Sequence, residues 1–257
     1  MLLSSYFYEK PAFIMFFRKW LSRFRSKPVT REPSEAYNQW ANTYDQQPDN
    51  LMLQLDETVF SGLLNEISLT NLTVIDYGCG TGRHWPLLLT RQPGILKGFD
   101  VSEGMLAKLK DKIPGAAVFL LKEDTLDGVP DQSADWIIST LTMAHLKEPR
   151  KVFEEWNRVL KPGGGIIITD YHPAILAKGG QRTFRSGDEL ISIQNQVWEL
   201  GLIRQMAGQL HWTEIRLVEK ILDDSLKAFY EKQNALHVFE AYQGLPLIYG
   251  IRFKKEK

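Results

Sequence analysis

The 257-residue sequence contains one cysteine, Cys79, and no net excess of charge of either sign. A single cysteine excludes an intramolecular disulfide and fits a reducing compartment such as the cytoplasm, where we expect this protein. Lysine plus arginine and aspartate plus glutamate both number 31. The basic excess of a typical nucleic-acid-binding domain is therefore missing, and we expect no nucleic-acid partner. No Cys/His cluster or H-E-x-x-H segment occurs, so no metal site is predicted.

The sequence also has no apolar run near the ~20 residues that a membrane-spanning helix needs. Residues 13–25 nonetheless combine aromatic and basic side chains, which would lie on largely opposite faces of a helix. This pattern favours a peripheral contact with an anionic membrane surface. A helix packed against the domain and an unstructured tail stay open as alternatives. A signal peptide is not expected, because its charges should precede its apolar core.

The chain length accommodates one large α/β domain. Residues 27–33 hold two prolines and mixed charges, which predicts a linker. We therefore divide the chain into a basic amphipathic segment and linker, 1–33, and a domain, 34–257. The pattern loosens after Tyr171, where we expect an elaboration on the substrate side over about 171–212.

From Thr73 onward, strand and helix patterns alternate, which is typical of a parallel sheet. The predicted strands are 73–76, 95–100, 117–122, 134–139, 165–170, 213–221 and 247–253, with a short strand or hairpin arm within 191–197. The predicted helices are 50–64, one after Gly82, one that begins at the N-cap Ser102, 148–160 and 199–209.

A glycine-rich turn follows the first of these strands. Asp76 ends the strand, and Gly78, Gly80 and Gly82 recur at every second position. Glycines so spaced let the backbone turn tightly and approach a ligand closely. A dinucleotide fingerprint, G-x-G-x-x-G, would require a third glycine where Arg83 stands. The turn therefore indicates a different ligand.

Acidic residues end the next two predicted strands. Asp100 lies ~20 residues beyond the glycine turn, where a carboxylate can accept both hydroxyls of a ribose. Asp124 can accept from an adenine amino group, with Glu123 as the alternative shifted by one position. The backbone N–H of Thr125 can then reach a ring nitrogen. Singly such acids are usually loop residues or helix caps, but together they predict a nucleoside site.

Five segments between about residues 37 and 173 resemble the class I S-adenosylmethionine (SAM)-dependent methyltransferases. They are YNQWANTYD, VIDYGCGTGRH, GFDVSEGML, EDTLDGVPDQSADWIIST and the stretch that ends RVLKPGGGIIITDYHP. The resemblance is to the small-molecule methylases of the methyltransferase type 11 kind. It implies an α/β, Rossmann-like, doubly wound sheet of seven strands, mostly parallel with strand seven antiparallel. It also implies SAM as cofactor and methyl transfer to a small acceptor that is lipophilic or anionic.

The resemblance further implies roles for individual residues. Tyr44 and Asp45 correspond to an N-terminal element that folds over the cofactor in this family. Thr140, after the fourth strand, corresponds to the side of the cofactor that carries the sulfonium. Asp76 is placed to accept from the methionine ammonium or to brace the glycine turn.

Two histidines are candidates for a catalytic base. His145 follows the fourth strand and His172 follows the fifth, where the acceptor binds in this topology, and an imidazole has a suitable pKa near neutrality. A structural role, capping or packing, is as well supported for each. Many methyl transfers need no base, because the leaving group is already good and the enzyme mainly aligns the reactants.

Several alternatives stay open at this point. Arg182, with Arg185 and Lys178 nearby, is either a contact for an anionic acceptor or part of a solvated loop. A SAM-binding protein of the same fold without transfer activity is one rival function, and a dinucleotide-dependent oxidoreductase is another. A nucleic-acid methylase is disfavoured, because Ser139-Thr140-Leu141-Thr142 replaces the Asn/Asp-Pro-Pro-aromatic segment. No feature indicates the oligomeric state.

Overall fold

The predicted alternation of strands and helices is confirmed in the computed structural model, which describes residues 27–47 and 49–257. The amphipathic helix predicted within 13–25 lies outside the described residues. In the described part of the chain, no helix has the length and apolar character needed to cross a membrane.

The elements are numbered here in chain order. The strands are β1 Val29–Arg31, β2 Thr73–Tyr77, β3 Ile95–Asp100, β4 Ala117–Leu120, β5 Ala134–Thr140, β6 Leu160–Tyr171, β7 Thr183–Ser186, β8 Glu189–Ile193, β9 Trp212–Ile221 and β10 Pro246–Lys255. The helices are α1 Pro33–Trp40, α2 Leu51–Leu64, α3 Trp85–Thr90, α4 Glu103–Lys112, α5 Pro149–Val159, α6 Pro173–Ala177, α7 Leu200–Gln209, α8 Lys227–Lys232 and α9 Leu236–Tyr242. Single 3₁₀ turns form at Met143–His145 and Asp224–Leu226.

The main sheet has seven strands in the order β4-β3-β2-β5-β6-β10-β9. Strand β10 is antiparallel to both of its neighbours, and the pairs from β4 to β6 are parallel. This confirms the predicted Rossmann-like sheet with its last strand antiparallel. The chain moves outward from β2 to β4 and then returns to β5, so the order reverses between β2 and β5. Ligands of open α/β sheets bind at such a switch point, beyond the carboxyl ends of the strands.

Helices cover both faces of this sheet, which is why its strands read as nearly continuous apolar runs. On one face, Trp156 of α5 packs on Tyr77, and on the other Trp85 of α3 lies with Val74 and Leu109. Helix α4 begins as predicted, because the Ser102 hydroxyl oxygen accepts from the Met105 N–H at 3.1 Å. The predicted fifth strand is longer than expected, since β6 already begins at Leu160.

A second, three-stranded sheet, ordered β1-β8-β7, lies outside the predicted scheme. Strands β7 and β8 form a hairpin, and β1 pairs in parallel with β8. The hairpin arm predicted within 191–197 is confirmed only up to Ile193, where β8 ends. The range 27–33 is therefore not a linker throughout, and that expectation was wrong for residues 29–31. Both prolines of the range lie outside β1, so its N–H groups are free to pair. Arg31 of β1 also pairs with Glu189 of β8 at 3.1 Å.

Candidate active site

The glycine turn is anchored to the neighbouring strand. The N–H groups of Gly78 and Cys79 donate to the Phe99 carbonyl oxygen at 2.7 and 3.0 Å. Gly78 has a φ of +77°, and a Cβ there would lie 2.1 Å from the Thr142 hydroxyl oxygen. Glycine is therefore required at this position by both conformation and space. Gly80 differs, because its φ is +52° but a Cβ would meet no protein atom within 4 Å.

Beside this turn lies a pocket that encloses about 970 Å³ of empty space, its open mouth included. It is bordered by α1, by the loops after β2 to β5 and by the 3₁₀ turn at Met143–His145. Of the predicted site residues, it brings together Tyr44, Gly78, Gly80, Asp100, Asp124, Thr140 and His145. Gly82 is not among the lining residues, and its Cα packs so closely that a Cβ would lie 2.3 Å from Leu109 Cδ1.

Asp100, at the end of β3, connects the pocket to the glycine turn. One carboxylate oxygen accepts from the Gly80 N–H and the other from the Ser102 N–H, each at 2.8 Å. Burial raises the pKa of Asp100 to about 6. Each oxygen keeps a further lone pair, so the group can still accept hydrogen bonds from a ligand. Asp100 therefore lines the pocket with acceptor capacity to spare, and its contact with a ribose stays a prediction.

Asp76 lines a smaller adjoining cavity together with Tyr44, Thr81 and Arg83. Its carboxyl accepts from the Trp85 indole N–H at 2.9 Å, which links β2 to helix α3. Burial raises the pKa of Asp76 to about 7. This contact holds the carboxyl against α3, and the two predicted roles for this residue, binding the ammonium and bracing the glycine turn, stay predictions.

A buried carboxylate beneath the turn, Asp56 of α2, was missed by sequence reasoning. It accepts from His84 at 2.8 Å and also pairs with Arg83 and Thr169. Burial opposes ionisation, but the His84 hydrogen bond and the Arg83 charge hold the pKa of Asp56 below its usual range. The sequence does contain a signal for this role, which is the spacing of Asp56 along the helix. An acidic residue on the same helix face as the apolar residues points into the core. Those positions on α2 are Val59, Phe60 and Leu63.

The segment after β4 places Asp124, and not Glu123, on the pocket. Burial, followed by the nearby charge of Glu148, raises the pKa of Asp124. Thr125 does not line the pocket, and its exposed hydroxyl donates to Asp127 at 3.0 Å. Its predicted contact through the backbone N–H stays a prediction.

The segment that follows α1 lies over the glycine turn. Tyr44 borders both cavities, and Asp45 accepts from the Thr81 hydroxyl at 2.7 Å while pairing with Lys112 at 2.9 Å. On α1 itself, the Asn38 side-chain oxygen accepts from the Gly104 N–H at 2.8 Å. Helix α1 and the residues after it therefore form one wall of the pocket.

His145 lines the pocket with both ring nitrogens in use. Its Nδ1 lies 3.0 Å from the Gln194 carbonyl oxygen, which can only accept, so Nδ1 carries the proton. Nε2 then accepts from the Tyr37 hydroxyl at 2.9 Å, and the Arg182 guanidinium also contacts it. Burial and the Arg182 charge lower the pKa of His145 well below its usual value. The imidazole is therefore neutral at physiological pH.

Arg182 is neither in a solvated loop nor free to bind an acceptor, so neither sequence-based alternative describes it. Its side chain is 4% exposed and forms an ion pair with Asp170, which is 1% exposed. Asp170 also accepts from the Ala144 N–H at 2.8 Å, and the guanidinium lies 4.4 Å from the centre of the Tyr171 ring. This buried pair connects the small sheet to the turn that carries His145.

His172 lies outside the pocket. It caps α6, because its Nδ1 accepts from the Ala174 N–H at 3.1 Å, and its Nε2 lies 2.9 Å from a Glu219 carboxylate oxygen. These contacts correspond to the structural alternative for this residue. Over residues 27–47 and 49–257, no three His, Cys, Asp or Glu side chains are grouped to hold a metal ion.

Comparison with known proteins gives matches to methyltransferases. The family model of the methyltransferase domain matches residues 75–168. An uncharacterized methyltransferase of Geobacillus kaustophilus is 30% identical over 146 residues, which are 54% of this chain and 67% of that protein. A trans-aconitate 2-methyltransferase of an Acidovorax species is 33% identical over 96 residues, which are 37% of this chain and 36% of that protein.

Solved structures show the same fold. A SAM-dependent methyltransferase from Mesorhizobium loti matches with a TM-score of 0.58 at 16% identity, over 76% of this chain and 97% of that one. At 16% identity, this match is evidence for a shared fold only. The matched part of this chain spans two thirds of the Geobacillus protein and little more than a third of the Acidovorax protein.

Proposed function

Since the chain belongs to the class I SAM-dependent methyltransferases, we propose that it transfers the methyl group of SAM to a small acceptor bound in the pocket beside Tyr37 and His145. One observation carries this proposal: a single pocket is lined both by Gly80, Asp100 and Asp124, here called its first end, and by Tyr37 and His145, here called its second end. The first end fits the nucleoside of the cofactor, and the second end leaves a separate place for the molecule that is methylated.

The residues at the first end fit SAM by their chemistry. Gly80 presents bare backbone to open space, so a ligand can approach where any side chain would stand. The Asp100 carboxylate has lone pairs for the ribose hydroxyls, and Asp124 for the adenine amino group. The adjoining cavity beside Tyr44, Asp76 and Arg83 suits the amino-acid end. Bound SAM supplies an electrophilic methyl group on a good leaving group.

The second end aligns the acceptor for in-line displacement. Its walls include the apolar side chains of Pro33, Leu141 and Leu146, which suit a lipophilic acceptor and exclude water. At the mouth, Lys147 pairs with Glu32 at 2.8 Å, and both side chains are exposed. Lys147 therefore offers a contact for an anionic acceptor. The Acidovorax relative is named for trans-aconitate, a small anion, which supports that option.

The path for a proton from the acceptor through Tyr37 to His145 is short. The Tyr37 hydroxyl donates to His145 Nε2 at 2.9 Å and borders the pocket. An acceptor that binds with its proton can pass it to the Tyr37 oxygen while Tyr37 passes its own proton to His145. The low pKa of His145 makes this step unfavourable in the free protein. An acceptor that binds already deprotonated needs no such step.

Calorimetry followed by a turnover assay tests the proposal. We expect micromolar binding of SAM and of S-adenosylhomocysteine, and none of NAD. Tritiated SAM is then incubated with a panel of small carboxylic acids, phenols and amines, and labelled product is extracted. NAD binding without SAM binding would contradict the proposal. SAM binding without transfer to any member of a broad panel would favour the SAM-binding protein without transfer activity.

A further inference from the structure

Tyr77, the last residue of β2, has a buried hydroxyl that the fold does not account for. The side chain is 1% exposed, and its ring meets Trp156 edge-on with centroids 5.2 Å apart. Within the part of the chain that the structure describes, the hydroxyl has no hydrogen-bond partner. Leaving a buried polar group unpaired costs ~1–3 kcal/mol, so such a group calls for an explanation.

The surroundings of this hydroxyl point to the pocket. Tyr77 borders the pocket together with Leu121 and Asp124, at the end assigned above to the nucleoside. Asp124 lines the same pocket, and after burial its charge contributes most to raising the pKa of Tyr77. The effect is mutual, since the Tyr77 hydroxyl partly offsets the rise in the pKa of Asp124. The two groups therefore lie close enough to interact directly.

We propose that Tyr77 is a positioning residue for purine recognition, which donates its hydroxyl proton to one carboxylate oxygen of Asp124 and so directs the other oxygen at the exocyclic amino group of adenine. This inference rests on the proposed function, because it requires the nucleoside of SAM at this end of the pocket. It gives a role in ligand recognition to the residue that directly precedes Gly78 of the glycine turn. This residue would otherwise be counted as part of the hydrophobic core.

The chemistry of the pair gives it selectivity for adenine. An ionised carboxylate only accepts hydrogen bonds, and the adenine amino group only donates them in the ring plane. Asp124 is partly exposed, so its carboxylate needs another group to hold it in one orientation. A purine with an oxo group at that position would bring its oxygen against the carboxylate. Sites that hydrogen-bond a substrate group reject an analogue that lacks it far more strongly than apolar sites do.

The test compares S-adenosylhomocysteine with S-inosylhomocysteine, which carries the oxo group, by calorimetry on the full-length chain. We expect the wild type to prefer the adenosyl compound by ~30-fold or more, as expected for a lost hydrogen bond to a charged group. Tyr77→Phe keeps the ring on Trp156 and should lower this preference by about tenfold. Asp124→Asn should lower it at least as far, and the double variant should add little to either single change.

A matched control is Tyr249→Phe, since Tyr249 is equally buried, at 1% exposure, and does not line the pocket. It should leave the preference unchanged. A thermal melt of each free variant checks folding. If Tyr77→Phe is folded and keeps the full wild-type preference for the adenosyl compound, the inference is overturned. Additive effects of the two substitutions in the double variant would overturn it as well.

Failure of the inference is distinguishable from failure of the proposed function. If the wild type binds neither S-adenosylhomocysteine nor SAM, the cofactor site itself is wrong. If it binds both and discriminates as expected, but Tyr77→Phe behaves like Tyr249→Phe, only the role of Tyr77 is wrong.

Discussion

Asp100 and Gly80 are joined by a hydrogen bond of 2.8 Å from the Gly80 N–H to the Asp100 carboxylate. The residue proposed to bind ribose thus also fixes the glycine that faces the open pocket. Because the second oxygen holds the Ser102 N–H, the same carboxylate sets the start of α4. The conformation at the end of β3 and the conformation of the glycine turn are consequently coupled through the Asp100 side chain.

Asp100→Ala should weaken SAM binding by about 1–3 kcal/mol, or roughly 5- to 150-fold, since it removes hydrogen bonds to a charged group and releases the glycine turn. Calorimetry measures the change. The control is Asp111→Ala, an exposed position on α4, which should bind SAM as the wild type does. Equal affinities for the two variants would show that Asp100 is not part of the cofactor site.

The Gly80→Ala substitution distinguishes a steric clash with the ligand, which lowers SAM affinity, from strain in the backbone, which lowers stability. A methyl group at Gly80 meets no protein atom, so we expect the fold to survive with a loss of ~1–2 kcal/mol from the positive φ. SAM affinity should fall at least tenfold, because the methyl group enters the space proposed for the ligand. Gly115→Ala is the matched control: its φ is +86° and its Cβ is also unobstructed, but it lies away from the pocket. If both variants bind SAM normally, the ligand does not approach Gly80.

Some features of this chain could be predicted from its sequence and others could not, for a physical reason. The sheet and Asp100 were predictable, because strand periodicity and the N-cap Ser102 are local signals that parallel topology brings to one edge. The role of Arg182 was not predictable, since its partner Asp170 lies on another strand and only the hairpin β7–β8 brings the two together. Strand β1 was missed because flanking prolines resemble a linker, and its pairing with β8 is remote in sequence.

Asp76 and Asp100 should each make the free protein less stable as the pH rises from about 4 to 7, while His145, whose pKa is lowered, acts in the opposite sense below its unfolded value of about 6.5. Burial raises the pKa of Asp76 to about 7 and that of Asp100 to about 6, above their values in the unfolded chain. In this window the folded state binds protons that the unfolded state releases, so raising the pH favours unfolding. The opposite contribution of Asp56, whose pKa is lowered, acts only below about pH 4.

Urea denaturation at pH 5 and pH 8 measures this effect. Each group contributes at most about 1.4 kcal/mol per pH unit within its window. Asp76→Asn cannot ionise but can still accept from the Trp85 indole, so it should reduce the loss of stability between the two pH values. If the wild type and Asp76→Asn change in stability by the same amount between pH 5 and pH 8, the assignment to Asp76 is contradicted.

Arg182→Met should destabilise the protein by about 3–5 kcal/mol, because it leaves the buried carboxylate of Asp170 without its counter-ion. It also removes the donor that contacts His145 Nε2 and lies 3.3 Å from the Tyr37 hydroxyl. Urea denaturation measures the free energy of unfolding. Arg204→Met is the matched control, since its bidentate pair with Glu214 is exposed and should contribute no more than about 1 kcal/mol. The double change Arg182→Met/Asp170→Asn should recover part of the loss, because the uncompensated charge is then absent. Equal losses for Arg182→Met and Arg204→Met would show that the buried pair does not hold the small sheet to the turn of His145.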